Sequence, residues 1–153
     1  MRNGLAAGPL PPDLSFGAEI TSACSMPPTF SPLVAYAIKW NETADLPNAA
    51  TIVSADGGHG LFQLTASYPP NWDAPYVNAL YAITDYLFPA ETYWADQAQG
   101  DDLVRCIAAE FNAGRAQAIK GHDAGDIDAH TTNHYAARAL ATYQRLLAGK
   151  SPE

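Results

Sequence analysis

Residues 31–43 read SPLVAYAIKWNET, and this stretch carries the clearest helix signal in the chain. Ser31 is a favoured N-cap residue, and Pro32 suits the first helical position because the N–H group there has no helical partner. Ile38 and Glu42 lie four residues apart and so share one face of the predicted helix. The pattern therefore predicts a helix whose apolar stripe ends in the carboxyl group of Glu42.

Further helices are predicted where apolar residues recur at helical spacing between capping residues and a terminating glycine or proline. The first two are expected at 73–88, stopped by Pro89, and at 91–97, as a short piece. The next is capped by Asp101 or Asp102 and ended by Gly114, and it is followed by one at 115–120, closed by Gly121. The last is capped by Thr131 or Thr132 and ended by Gly149. No alternating pattern of useful length predicts a strand. The predicted fold is mainly α, with a small β-hairpin or loop region at about 50–65.

The composition is that of one globular domain. The chain has 153 residues, of which 48% are hydrophobic and 16% charged. Eight Lys and Arg residues against sixteen Asp and Glu residues give a net charge of −8. A nucleic-acid or anionic-membrane binder driven by electrostatics should be basic, so neither partner is expected. The sequence contains no run of about 18 apolar residues, so membrane insertion is not predicted.

Residues 1–30 contain five prolines and little periodicity, and they predict an extended, partly ordered N-terminal arm before a domain at 31–150. The arm has no continuous apolar segment before its prolines, so no signal peptide is predicted. Cys24 in the arm and Cys106 in the domain are either two free thiols or one disulfide, and the sequence leaves both open.

The residues suited to catalysis begin with Glu42. A carboxyl group at the end of an apolar stripe is costly to ionise, so it can remain protonated near neutral pH and act as a general acid. The alternative is an exposed side chain in a fraying last turn. Asp56 lies in the glycine-rich segment SADGGHG at 54–60 and is either a second acidic group of the same site or a turn residue.

Other polar clusters predict no metal site and no cofactor. Asp123, Asp126 and Asp128 lack the spacing of an EF-hand and predict a solvated acidic loop. His130 and His134 are four residues apart, but a helix is predicted to begin between them and no third ligand is evident.

Four short motifs follow one another in a fixed order along the chain: Glu42-Thr43, Gly60-Leu61-Phe62-Gln63, Phe111-Asn112-Ala113-Gly114 and Tyr135-Ala136. This order resembles the lysozyme-like superfamily of soluble lytic transglycosylases and goose-type lysozymes. Their motifs read Glu-Ser, Gly-Leu-Met-Gln and Tyr-Asn-Ala-Gly, followed by a Tyr in the last helix. Thr43, Phe62 and Phe111 depart from that pattern, and Phe111 lacks the tyrosine hydroxyl.

The resemblance implies a lysozyme-like helical catalytic domain at 31–150. It also implies cleavage of the β-1,4 bond between N-acetylmuramic acid and N-acetylglucosamine in peptidoglycan, whose glycan strands are the expected partner. Glu42 falls on the position of the catalytic acid. Substrate-binding or supporting positions of the family fall on Thr43, Gly60, Gln63, Asn112 and Tyr135.

Asp56 decides between two products. Goose-type lysozymes also carry an Asp in this glycine-rich segment, although their further Asp after the Gly-Leu-Met-Gln motif is replaced here by Leu64-Thr65. If Asp56 positions a water molecule, the reaction is hydrolysis; without a second carboxylate, the muramic C6 hydroxyl closes a 1,6-anhydro ring.

The biological setting implied by these features is a bacteriophage endolysin or a virion-associated lysin, and a bacterial effector delivered by a secretion machine is the alternative. It would reside in the virion, or in the host cytoplasm before release to the cell wall, and the N-terminal arm could contact other virion proteins. A non-catalytic carbohydrate-binding module on the same scaffold is the alternative function.

Overall fold

The structure, a computed structural model, describes residues 4–153 and is mainly helical, as predicted. Its helices are α1 (Gly17–Ser25), α2 (Pro32–Thr43), α3 (Pro75–Ala82), α4 (Phe88–Trp94), α5 (Gly100–Ala113), α6 (Arg115–Asp123) and α7 (Tyr135–Leu147). A π-helical turn over Ile83–Leu87 joins α3 to α4. The region at 50–65 is a loop that carries two isolated β-bridges, Val53–His59 and His59–Leu64.

Helix α2 lies at the centre of the molecule. Residues 33–39 are all buried, and the helix packs against α1 and α7. The hydroxyl of Ser31 accepts a hydrogen bond from the N–H of Val34 at 3.3 Å, so the predicted N-cap is confirmed. These contacts bury most of α2 and place its last turn, with Glu42, beside the start of α7.

The C-terminal end of α2 is held by the buried side chain of Lys39. Its ammonium group donates a hydrogen bond to the main-chain oxygen of Ala44. The rings of Phe16, Tyr36 and Trp40 surround the same group at 5.3–5.9 Å from their centroids. Burial lowers the pKa of Lys39 to about 8. A cation at this helix end offsets the partial negative charge of the last carbonyl groups.

The expectation of an extended arm over 1–30 is wrong at 17–25, where a helix forms, and residues 1–3 lie outside the described part. Helix α1 occupies 17–25 and packs against α2 and α3. Buried residues of the arm belong to the same hydrophobic core as the rest of the chain; they include Leu5, Ile20, Ala23, Cys24 and Phe30. Contact between this arm and other virion proteins stays a prediction.

Pro89 does not stop the helix that precedes it. A proline has no N–H to donate, but in the first turn of a helix no donor is needed. Here the π-helical turn ends at Leu87, and Pro89 occupies the first turn of α4. The predicted helix at 73–88 therefore begins later, at Pro75, and continues beyond the proline.

Helices α5 and α7 lie close to their predicted positions, whereas α6 is not closed by Gly121 and continues to Asp123. Helix α5 ends at Gly114, whose φ of 85° suits glycine, as predicted. Its N-cap is Gln99, so Asp101 and Asp102 lie in the first turn and do not cap it. Helix α7 begins at Tyr135, beyond the predicted Thr131 or Thr132. Within residues 4–153, no helix is both long enough and apolar enough to cross a membrane.

Candidate active site

A polar cleft of about 370 Å³ opens beside the end of α2. Glu42 from α2, Asp56 and Gln63 from the long loop, and Asn112 from the end of α5 all line it. The structure therefore brings four of the predicted site residues to one surface, although up to 70 positions separate them in sequence. Tyr86 adds a further part of the wall from the π-helical turn.

The carboxyl group of Glu42 is partly buried in this cleft. Burial is the main reason that its pKa rises to about 7 from an ordinary 4.5. The negative charge of Asp56 also raises this pKa, whereas the Tyr135 hydrogen bond and the positive charge of Arg138 lower it. A carboxyl group with a pKa of about 7 is substantially protonated at neutral pH, and such a group can serve as a general acid.

Tyr135 lies behind Glu42 as the first residue of α7. Its side chain is 3% exposed, and its hydroxyl donates a hydrogen bond to Oε2 of Glu42. Burial, followed by the charge of Glu42, raises the pKa of Tyr135 well above its usual value, so the hydroxyl keeps its proton. The guanidinium group of Arg138 lies 5.6 Å from the ring centroid. Tyr135 thus supports the carboxyl group from the protein side of the cleft.

Asp56 has the opposite electrostatic environment to Glu42. It is fully exposed, and its carboxylate accepts a hydrogen bond from the hydroxyl of Ser54. This bond, together with the backbone at Gly58, lowers the pKa of Asp56. One carboxyl group of the cleft is therefore kept charged while the other favours its protonated form. Such a separation of pKa values is typical of an acid and a base with different roles.

Gln63 presents a fixed amide group to the cleft. Its backbone φ is 48°, an uncommon value for a residue with a side chain. The side-chain nitrogen donates to the main-chain oxygen of Gly60 at 2.9 Å. Gly58 makes room for this arrangement, because a methyl group there would collide with the Gln63 side chain. Because the amide is already held in place, it can bind a ligand without a large loss of side-chain entropy.

Thr43 and Gly60 lie behind the cleft wall and do not line it. Thr43 is 2% exposed, and its hydroxyl donates to the main-chain oxygen of Leu61 at 3.0 Å. Gly60 is buried with φ 72°, and a side chain there would collide with the amide of Asn78. Both residues shape the loop that carries Gln63, and their binding of substrate stays a prediction.

Asn112 and Phe111, at the end of α5, also line the cleft. The side-chain oxygen of Asn112 accepts the N–H of Thr132 at 2.8 Å, which ties the end of α5 to the segment before α7. The ring of Phe111 packs edge-on against Tyr86, with centroids 5.7 Å apart. Phe111 thus contributes apolar packing where the resembling family has a hydroxyl group.

Tyr86 and Asn78 organise the site, and sequence reasoning missed both. Tyr86 lines the cleft and holds the loop, since its hydroxyl donates to the main-chain oxygen of Ser67 at 2.8 Å. Asn78 is buried and bonds the main chain of His59, Trp72 and Phe62 at 3.0 Å each. A polar Asn on an otherwise apolar helix face was the available signal for Asn78.

The remaining candidates for reactive groups lie outside the cleft. Cys24 and Cys106 are free thiols, and burial raises their pKa values to about 12 and about 11. Neither is therefore a thiolate at neutral pH. Within the part of the chain that the structure describes, no three His, Cys, Asp or Glu residues are grouped to hold a metal ion.

Similarity to known proteins adds no assignment for this chain. No protein-family model matches the sequence, and no curated protein is significantly similar to it. A function is therefore inferred from the cleft and from the residues that line and support it.

Proposed function

We propose that this protein cleaves the β-1,4 bond between N-acetylmuramic acid and N-acetylglucosamine in peptidoglycan, with Glu42 as the general acid. The observation that carries the proposal is the carboxyl group of Glu42, partly buried in a polar cleft with a pKa of about 7. A binding module has no need of a carboxyl group held near half-protonation. The order of the four sequence motifs supports the same activity.

Bond cleavage requires a proton on the leaving sugar oxygen as positive charge develops on the neighbouring ring. Protonated Glu42 supplies that proton and becomes a carboxylate. The Tyr135 hydroxyl stabilises this carboxylate, because its hydrogen bond favours the charged form. The lowered pKa of Asp56 keeps its exposed carboxylate charged. This negative charge stabilises positive charge that develops in the same cleft.

Two fates of the sugar cation fit the cleft. In hydrolysis, Asp56 orients a water molecule, whose oxygen bonds to the anomeric carbon and whose proton passes to a carboxylate. In the transglycosylase reaction, the muramic C6 oxygen bonds to that carbon instead, and Glu42 takes the hydroxyl proton. The first reaction consumes one water molecule, and the second consumes none.

The amide groups of the cleft suit an N-acetylated sugar. Gln63 and Asn112 both line the cleft, and each amide is already held by hydrogen bonding to the main chain. Preorganised amides can exchange hydrogen bonds with acetamido and hydroxyl groups at little entropic cost. In this proposal the protein acts on the cell wall as a phage endolysin or virion-associated lysin.

A combined binding and release assay on purified peptidoglycan tests the proposal. The protein, the variant Glu42→Gln and the control Glu19→Gln are mixed with insoluble peptidoglycan and sedimented. We expect all three to sediment with the wall. Soluble muropeptides should appear only with the wild type and with Glu19→Gln, whose substitution lies in α1, away from the cleft.

The same assay separates the enzyme from the alternative function. Sedimentation with no release by the wild type would favour a carbohydrate-binding module. Release that persists in Glu42→Gln would remove Glu42 from the catalytic role.

A further inference from the structure

The N-cap residue of α7 provides no capping side chain. The first N–H groups of a helix lack partners within the helix, and a side chain at the N-cap usually accepts one of them. Here the N-cap residue is His134, in the left-handed region with φ 53°, and its side chain makes no capping hydrogen bond. Another group must therefore serve the first turn of α7, which begins with Tyr135.

Asp128, in the loop between α6 and α7, caps this turn from eight residues upstream of Ala136. One carboxylate oxygen accepts the N–H of Ala136 at 2.8 Å, and the other accepts the N–H of Ala137 at 3.0 Å. The first oxygen also accepts the hydroxyl of Thr131 at 2.5 Å. A carboxylate at a helix N-terminus is additionally favoured by the helix dipole.

The same cluster holds the backbone of Tyr135 on both sides. The hydroxyl oxygen of Thr131 accepts the N–H of Tyr135 at 3.3 Å. The side-chain amide of Asn41, in α2, donates to the main-chain oxygen of Tyr135 at 3.0 Å. The Tyr135 backbone is thus tied to Asp128 through Thr131, and to the helix that carries Glu42 through Asn41.

We propose that Asp128 is a positioning residue of the cleft: it fixes the first turn of α7 and so holds the Tyr135 hydroxyl against Glu42. Its effect on catalysis rests on the function proposed above, whereas its effect on the Glu42 carboxyl group does not. Asp128 does not line the cleft, and the hydrogen bonds of its carboxylate go to Thr131 and α7, so it acts through Tyr135.

The neighbouring acidic residues do not share this role. Asp126 accepts the N–H of Asp128 at 3.1 Å and so shapes the loop itself. Asp123 is exposed at the end of α6, where its carboxylate lies 3.5 Å from the imidazole of His122. Asp123→Asn therefore removes the same charge from the same region without touching α7, and it is the matched control.

The test is a double-mutant cycle on Asp128→Ala and Tyr135→Phe, read by the ¹³C NMR titration of the Glu42 carboxyl carbon. Tyr135→Phe removes the hydrogen bond that stabilises charged Glu42, so the pKa of Glu42 should rise. Asp128→Ala should raise it in the same direction. In the Tyr135→Phe background, Asp128→Ala should add no further shift, because its path to Glu42 is already broken.

Catalysis gives a second readout on the same variants. With released muropeptides as the measure, Asp128→Ala should lower kcat by about 10- to 100-fold and change KM by less than about threefold, since it misplaces a group that acts on the reacting carboxyl. Asp123→Asn should change neither value. Asp128→Asn keeps one acceptor oxygen, so it should give a smaller change in the same direction.

Each outcome decides the proposal. An unchanged Glu42 pKa in folded Asp128→Ala, or an equal shift with and without Tyr135→Phe, would overturn it. If Asp128→Ala fails to fold, Asp128→Asn is read by the same cycle and under the same criteria. If the wild type releases no muropeptides, the proposed activity fails, and the NMR cycle alone then decides the positioning role.

Discussion

The hydroxyl group of Tyr135, at the start of α7, donates a hydrogen bond to Oε2 of Glu42, at the end of α2. The two residues are 93 positions apart, and this bond joins the two helices at the candidate cleft. It opposes burial, because it favours the charged carboxylate that burial disfavours. The pKa of about 7 is therefore a balance that single substitutions should move in predictable directions.

Removal of the Tyr135 hydroxyl should raise the pKa of Glu42. In Tyr135→Phe the carboxylate loses its donor, so the Glu42 pKa should rise and the pH profile of wall release should shift to higher pH. The profile of initial rates against pH measures the shift. Tyr143→Phe is the control: Tyr143 is also buried in α7, but its hydroxyl bonds the N–H of Ala6. Equal profiles for Tyr135→Phe and the wild type would show that the bond has no influence on Glu42.

Removal of the Asp56 charge should have the opposite effect and lower the pKa of Glu42. A nearby negative charge disfavours ionisation of Glu42, so Asp56→Asn should lower the Glu42 pKa. If Asp56 also orients water, products with reducing muramic ends should be lost from the digest. Asp73→Asn, an exposed aspartate outside the cleft lining, should change neither property. Hydrolysis that continues unchanged in Asp56→Asn would leave Asp56 as a turn residue.

The raised pKa of Glu42 should make the protein less stable as the pH rises. Between pH 4.5 and about 7, the folded state holds a proton on Glu42 that the unfolded state releases. The free energy of unfolding therefore falls across this window, by on the order of 3 kcal/mol for this group. Glu42→Gln removes the effect, so the variant should gain stability over the wild type at pH 8 but little at pH 4.5.

Urea unfolding at the two pH values measures this difference. Glu19→Gln provides the control for the loss of a carboxyl group elsewhere. A stability difference between Glu42→Gln and the wild type that stays constant from pH 4.5 to pH 8 would contradict the raised pKa.

Gly60 should be more sensitive to substitution than Gly57. Both have positive φ, 72° and 87°, so alanine at either position incurs backbone strain of about 1–2 kcal/mol. Only at Gly60 does the added methyl group collide with a neighbour, the buried amide of Asn78. We expect Gly60→Ala to lose about 2–5 kcal/mol in urea unfolding and Gly57→Ala about 1–2 kcal/mol. Equal losses would show that the close packing at Gly60 is unimportant.

The sequence predicted helices where local signals are strong. Ser31-Pro32 and Gly114 carry the capping chemistry that sets the ends of α2 and α5, and both ends are confirmed. Helix α1 was missed because it is short and lies among prolines, and its N-cap, Phe16, provides no side-chain cap. Its stability comes from packing of Ile20 and its neighbours into the core, which no local pattern reveals.

Of the site, only residues that line the cleft could be predicted from short sequence motifs. Glu42, Gln63 and Asn112 belong to the ordered motifs and Asp56 to the glycine-rich segment, and the structure brings all four to one cleft. The residues that hold them in place act across tertiary contacts and leave little local signal. Asp128 is the clearest case, because its acidic neighbours predict a solvated loop while its carboxylate binds the first turn of α7.

Mass spectrometry of the products from purified peptidoglycan is the most direct test of whether Glu42 is the catalytic acid of a peptidoglycan-cleaving enzyme. The wild type is expected to release fragments that end in muramic acid, either reducing or in the lighter 1,6-anhydro form that lacks one water. Glu42→Gln is expected to release none, although it still binds the wall. Release from neither protein, or muramic-ended fragments that persist in Glu42→Gln, would contradict the assignment of Glu42 as the catalytic acid.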